Sequence, residues 1–245
     1  MGLKRFNEYL QEGVYDPSIF KVFFLAGGPG SGKSYVQKRV TSGLGLKLAN
    51  SDTAFEHLLK AAGLSLDLTK IDPEKRDAVR DRAKEITSTK MGLYVHGRLG
   101  LIIDGTARDY AKTKKQKEGL QRLGYESYMI FVNTSLETAL ERNKKRDRVV
   151  PEDIVTKSHK DVQSNIGRFQ GLFKDKFIII DNNDAKDDIL NMAYKQVKKF
   201  AAKPPKNKLA KKWIANELEK KSPWIPVLIG CAIGLSGVLG YVVSL

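Results

Sequence analysis

The sequence predicts an α/β fold, a doubly wound parallel sheet followed by a C-terminal transmembrane helix. Three observations carry that expectation. Short apolar runs alternate with helix-competent segments along most of the chain. A glycine-rich loop, Gly27-Gly28-Pro29-Gly30-Ser31-Gly32-Lys33-Ser34, sits between the first run and a helix-competent segment. The last 22 residues, from Trp224 to Leu245, contain no charged side chain. Strand-helix alternation implies a sheet with helices packed on it and ligands at the carboxyl ends of the strands.

The candidate strands are residues 21–26, 46–50, 99–104, 127–132 and 177–181. Their continuous Val/Ile/Leu/Phe character suits strands buried on both faces. Asp72-Pro73-Glu74 is a helix start, with Asp72 at N-cap and Pro73 at the first helical position. Ser135-Leu136-Glu137 opens a second helix and Pro151-Glu152-Asp153 a third. The chain therefore divides into an amphipathic leader (1–19), an α/β domain (20–200), a basic linker broken by Pro204-Pro205 (201–223) and a membrane span (224–245). No internal repeat is present.

At 245 residues and 41% hydrophobic content the chain can build a proper core. Its 43 basic and 28 acidic residues leave a net charge of +15, which predicts anionic partners. Ten of the lysines fall between Lys195 and Lys221, so the excess says little about nucleic-acid binding by the rest of the chain. The sole cysteine, Cys231, excludes an intrachain disulfide and a cysteine zinc site. His57, His96 and His159 are too scattered for a metal cluster. The N-terminus lacks the apolar core of a secretory signal, and Phe6 stands where a myristoylation signal needs Ser or Thr.

As a helix, the terminal uncharged run would span roughly 30 Å, the hydrocarbon thickness of a bilayer. Trp224 and Tyr241 lie near its ends, where aromatic side chains favour the interface. Its apolar character runs all round, and its glycines would weaken a helix in water, which argues against a buried core helix. Gly230 and Gly234 form a G-x-x-x-G pair through which a homodimer can pack. Lys203, Lys206, Lys208, Lys211, Lys212, Lys220 and Lys221 precede the span. They place the α/β domain on the cytoplasmic side, against an anionic lipid leaflet.

The glycine-rich loop fits the phosphate-binding pattern G-x-x-x-x-G-K-[ST], and it follows Val22-Phe23-Phe24-Leu25-Ala26 as that pattern requires. Its glycines let backbone N–H groups turn toward a polyphosphate at a helix N-terminus. Lys33 would reach the outer phosphates of ATP, and Ser34 would ligate Mg²⁺. Asp104 ends the apolar run Leu101-Ile102-Ile103 and is a second Mg²⁺ candidate. Asp52 has two readings, N-cap of the next helix or general base toward an acceptor hydroxyl. Arg142 and Arg146 are spaced i, i+4, with Arg148 beyond them, and their guanidinium groups could neutralise charge on a transferred phosphoryl group.

Taken together, the loop, Asn50-Ser51-Asp52-Thr53, the Leu101-to-Arg108 segment and the two arginines resemble the zeta-toxin and polynucleotide-kinase group of phosphate-loop kinases, over residues 20–183. That resemblance implies Asp52 as catalytic base, Lys33 and Ser34 on ATP and Mg²⁺, and Arg142 and Arg146 as lid arginines on the phosphates. It also implies that Thr106 and Arg108 contact the acceptor. The sequence departs from the zeta-toxin pattern where Asp stands in place of the more typical Glu and where Ala107 replaces a glycine. The Lys/Arg run followed by Val150-Pro151 is similar to the polynucleotide-kinase branch. The implied activity is transfer of the γ-phosphate of ATP to a hydroxyl of a polynucleotide 5′ end, a nucleotide sugar or a small metabolite. Two alternatives stand beside it: an ATPase or nucleotide switch acting on a membrane partner, and a tether that binds nucleotide for stability alone. The leader resembles the head-targeting leaders of internal proteins in T-even-type phages, cut after a motif matching Leu10-Gln11-Glu12, which would associate the chain with a virion. A short amphipathic helix capping the α/β domain accounts for the same residues.

Overall fold

The computed structural model describes residues 14–221 apart from Ala185. The expected span, Cys231, Gly230, Gly234 and most of the leader lie outside the described residues. Among the described residues no helix is long and apolar enough to cross a membrane.

Strands β1 (Lys21–Ala26), β2 (Lys47–Ala49), β3 (Leu101–Asp104), β4 (Glu126–Asn133) and β5 (Phe177–Asp181) form one sheet in the order β2-β3-β1-β4-β5. Every neighbouring pair is parallel. The bounds of β1 and β5 are those expected from the sequence. β2 is shorter because Asn50 leaves the ladder to cap the following helix. β3 starts two residues late, where the Leu99 carbonyl accepts a hydrogen bond from the Tyr125 hydroxyl, 3.1 Å away.

Period-two alternation explains why β1 can be apolar throughout. Phe23 and Leu25 point to one face, where they meet Val36 of α1 (Lys33–Val40) and Leu190 and Val197 of α8 (Asp187–Ala201). Val22, Phe24 and Ala26 point to the other. There they join Leu120 of α4 (Tyr110–Arg122), Val162 of α6 (Glu152–Ser164) and Phe169 of α7 (Ile166–Phe173). All six residues of β1 are buried, each apolar one of Phe or Leu size contributing about 1.5–3 kcal/mol. A satellite cluster of Phe55, Leu59, Ile71 and Ala83 locks α2 (Ser51–Ala61) to α3 (Pro73–His96). The expected helix starts are present. Asp72 accepts from the Glu74 and Lys75 amides at 3.0 and 3.1 Å, Ser135 caps α5 (Leu136–Lys144), and α6 begins directly after Pro151.

Part of the expected basic linker is structured. Residues 208–221 form α9 (Lys208–Lys221), whose Ala210 is fully buried and whose Trp213 and Ile214 pack on the second core face. The Trp213 ring meets Phe20 edge-on at 5.5 Å between centroids. Ahead of it, the Lys206 amide donates to Glu126 Oε1 at 2.7 Å, and Glu126 Oε2 takes the buried Lys21 ammonium at 2.5 Å. Lys208, Lys211, Lys212 and Lys220 form the exposed face of this helix. Trp213→Ala is expected to lower the unfolding free energy by about 2 kcal/mol, less than a fully buried tryptophan would lose. Thermal or urea unfolding of the full chain checks this, and an unchanged midpoint would detach α9 from the domain.

Candidate active site

β1 sits where the chain order reverses, with β3 on one side and β4 on the other, so its carboxyl end opens into the crevice that such sheets use for ligands. The glycine-rich loop occupies that crevice. Gly30 and Gly32 adopt φ of +78° and +80°, in the left-handed region. A Cβ on Gly30 would stand 2.1 Å from the Ala139 carbonyl oxygen, and one on Gly32 would stand 2.2 Å from Asn182 Nδ2. The loop is thus held from behind: Asn182 Nδ2 donates to the Ser31 carbonyl at 2.7 Å, and the Thr134 hydroxyl donates to it at 3.2 Å. Ser31 Oγ is buried without a hydrogen-bond partner, an unmet group beside the place a phosphate would take.

Lys33 opens α1 and folds back, its ammonium donating to the Gly27 carbonyl at 2.7 Å. Burial pushes its pKa down, and the carboxylates of Asp104 and Asp52 oppose that push. Ser34, beside it, is exposed in the first turn. Register places Asp104 level with Leu25 at the end of β1. Its Oδ2 accepts from Asn50 Nδ2 at 2.7 Å, and burial raises its pKa despite Lys33. Among the described residues no group of three or more His, Cys, Asp or Glu could hold a metal. Ser34 and Asp104 nevertheless fit Mg²⁺, which takes one or two protein oxygens and completes its shell with phosphate and water. A cation there would also offset the burial of the Asp104 carboxylate.

Asn50, not Asp52, caps α2: its Oδ1 accepts from the Asp52 amide at 2.6 Å. The Asp52 carboxylate is free for other work and is held on both oxygens. Arg80 Nη1 of α3 donates to Oδ1 at 2.7 Å, and Arg148 Nη2 donates to Oδ2 at 2.8 Å. Burial alone would raise the Asp52 pKa, but Arg148 and Arg80 outweigh it and hold the carboxyl well below the usual carboxylate range. Arg148 also brings its Nε to 3.0 Å from Glu56 Oε1.

The two arginines expected on the phosphates, Arg142 and Arg146, differ. Arg142 donates to the carbonyls of Asn182 and Asn183 at 2.7 and 3.0 Å, so it braces the loop after β5 while bordering the cleft. Arg146 is half-buried, lines the same cleft, and makes no hydrogen bond or ion pair among the described residues. Burial and the neighbouring Arg148 push its pKa down. Ala107, where the resemblance places glycine, has φ of +56°, a conformation that costs an L-residue about 1–2 kcal/mol. The bend is held by Asn165, whose Nδ2 donates to the Arg108 carbonyl at 2.7 Å. Thr106 carries the loop side of this bend, its carbonyl accepting from the Gly27 amide at 3.3 Å.

Two adjoining cavities meet at these residues. One, of about 810 Å³, runs over the glycine-rich loop and under Arg142, Arg146 and Arg148. The other, of about 660 Å³, lies between α3 and α4. They share Pro29, Lys33, Asp52, Arg80, Asp104, Thr106, Arg108 and Ile154. Sequence reasoning missed Arg80, Asn182 and Thr134, and it named Asn50 only as part of the segment around Asp52. Arg80 is one basic residue among several on a long polar helix, and no local pattern marks it.

The family model described as zeta toxin matches residues 16–193. No curated protein matches the chain in sequence. Among solved structures, a putative kinase from Chloroflexus aurantiacus J-10-fl is similar at 15% identity and a TM-score of 0.53, covering 73% of this chain and 97% of its own. A gluconokinase from Sinorhizobium meliloti 1021 is 13% identical with a TM-score of 0.49, covering 75% of this chain and 94% of its own. A chain of the AvrRxo1-ORF1:-ORF2 complex is 13% identical with a TM-score of 0.50, covering 80% of this chain and 72% of its own. The first and last of these carry the likeness of fold. With the glycine-rich loop, the parallel sheet and a match over most of its length, the chain belongs to the zeta toxin family.

Proposed function

We propose that the chain is an ATP-dependent phosphotransferase that moves the γ-phosphate to a hydroxyl of an anionic, nucleotide-sized acceptor. The observation that carries this reading is the shared wall of the two cavities. A nucleotide over the glycine-rich loop and an acceptor between α3 and α4 would meet at Lys33, Asp52, Thr106 and Arg108. Lys84, Arg108 and Lys112 on the second cavity favour an acceptor that carries negative charge.

The acceptor oxygen forms a bond to the γ-phosphorus as the bond to the bridging oxygen of ADP breaks. Such transfers pass through a loose transition state, so the protein contributes mainly positioning and electrostatics. Backbone amides of the loop and Lys33 hold the phosphates. Ser34 and Asp104 would hold Mg²⁺, which supplies charge neutralisation on the phosphate oxygens when bound. Arg146, which makes no hydrogen bond or ion pair among the described residues, answers the charge that grows on the transferred group. Asp52, kept ionised by its two arginines, is a weak base. It aligns the acceptor hydroxyl and receives its proton late in the transfer.

Full-length protein incubated with labelled ATP, Mg²⁺ and a panel of 5′-hydroxyl oligonucleotides, nucleosides and nucleotide sugars is expected to label at least one acceptor. Lys33→Ala is expected to abolish that labelling. Retention of more than about a tenth of the rate, equivalent to a loss below about 1.4 kcal/mol, would remove the assignment. ATP consumption that no acceptor stimulates would point instead to an ATPase or switch. Arg146→Ala is expected to lower kcat by about 10²-fold with a smaller change in ATP affinity. Steady-state kinetics and nucleotide titration separate the two, and equal losses in both would assign Arg146 to ground-state binding.

We also propose that residues 224–245 anchor the enzyme in a membrane, with the α/β domain on the cytoplasmic side. Support comes from the length and uncharged character of that run and from the lysines before it. On fractionation, full-length chain is expected in salt-washed membranes, and a chain lacking 224–245 in the supernatant. Release of the full-length chain by salt would refute the anchor.

A further inference from the structure

Arg80 has no part in nucleotide binding as described above, yet it lines both cavities and donates to Asp52 Oδ1 at 2.7 Å. Its side chain is braced by the helices that carry it. It rises from α3, which the satellite cluster packs against α2, and its guanidinium carbon lies 4.9 Å from the Phe55 ring centroid. Only 32% of its side chain is exposed. The partner on the other carboxylate oxygen, Arg148, comes from the segment between α5 and α6 and is divided between Asp52 and Glu56. Each carboxylate oxygen has two lone pairs, so one donor on each leaves a second acceptor direction open on both.

We propose that Arg80 is a positioning residue of the transfer reaction, one half of a two-arginine clamp that aims the open lone pairs of Asp52 at the acceptor hydroxyl. This rests on the phosphotransferase reading. Two other roles compete for the same residue: an ion pair that merely joins α2 to α3, and a direct contact with the acceptor. They separate because a positioning residue works only through the group it positions.

The test is a double-mutant cycle in the full-length protein, with Arg80→Met, Asp52→Asn and the pair, read as kcat and acceptor KM well below each variant's melting temperature. Arg80→Met is expected to lower kcat about 10–10²-fold with acceptor KM changed by less than about threefold. In the Asp52→Asn background it is expected to lower kcat no further. Arg80→Lys keeps a cation on the same stem but gives up the planar fork, and it is expected to recover part of the loss. It also serves as the probe should Arg80→Met fail to fold, its smaller loss again vanishing beside Asp52→Asn. Additive losses would overturn the proposal, as would a rise confined to acceptor KM or a lower melting temperature with unchanged kcat. A wild-type protein that labels no acceptor overturns this inference together with the function it rests on. An active wild type with additive losses overturns the inference alone.

Discussion

Burial of β1 on both faces is the constraint from which the site follows. Because Phe23 and Leu25 are packed by α1 and α8, and Val22, Phe24 and Ala26 by the helices opposite, the strand cannot shift register without exposing one set or the other. Its carboxyl end is therefore a fixed point. The glycine-rich loop leaves from it, Asp104 lies beside it, and α1 starts where the loop returns. The site is as rigid as the strand that carries it, which is what phosphoryl transfer by positioning demands.

The electrostatics of the cleft are unbalanced in a consistent direction. Burial pushes both Lys33 and Arg146 down, so each would be eased by an anion arriving in the cleft. Asp104 is pushed up and would be eased by a cation. Asp52, by contrast, is already satisfied by two guanidinium groups. A polyphosphate with its metal ion supplies the missing charges of both signs at once. Of Asp104 and Asp52, the one left outside that exchange is Asp52, on the wall that the two cavities share.

Much of this was legible in the sequence, and the parts that were not have physical reasons. Apolar runs located every strand, but burial on both faces holds for β1 and β4 alone; the edge strand β5 exposes Ile179 and Asp181, and β2 is only partly covered. The phosphate-binding loop was legible because glycine, lysine and serine at fixed spacing serve one chemistry. Asp52 was ambiguous, since a carboxylate just after a strand can cap a helix or face a cleft; Asn50 resolves it by taking the cap. Arg80 was invisible, because its importance depends on how α3 crosses α2, a tertiary fact. α9 was hidden by its lysines, although Ala210, Trp213 and Ile214 at i, i+3, i+4 are the stripe of an amphipathic helix.

That last helix has a mechanical consequence. The chain enters it at Lys206, tied to the first residue of β4, and Trp213 grips Phe20 beside the first residue of β1. Both fastenings lie at the amino ends of the strands, across the sheet from the glycine-rich loop. Tension applied through Lys221 would load the tryptophan–phenylalanine contact and the Glu126 hydrogen bond before it reached Asp52 or the arginines of the cleft. A load at that end of the chain is thus borne at the opposite ends of the strands from the cleft.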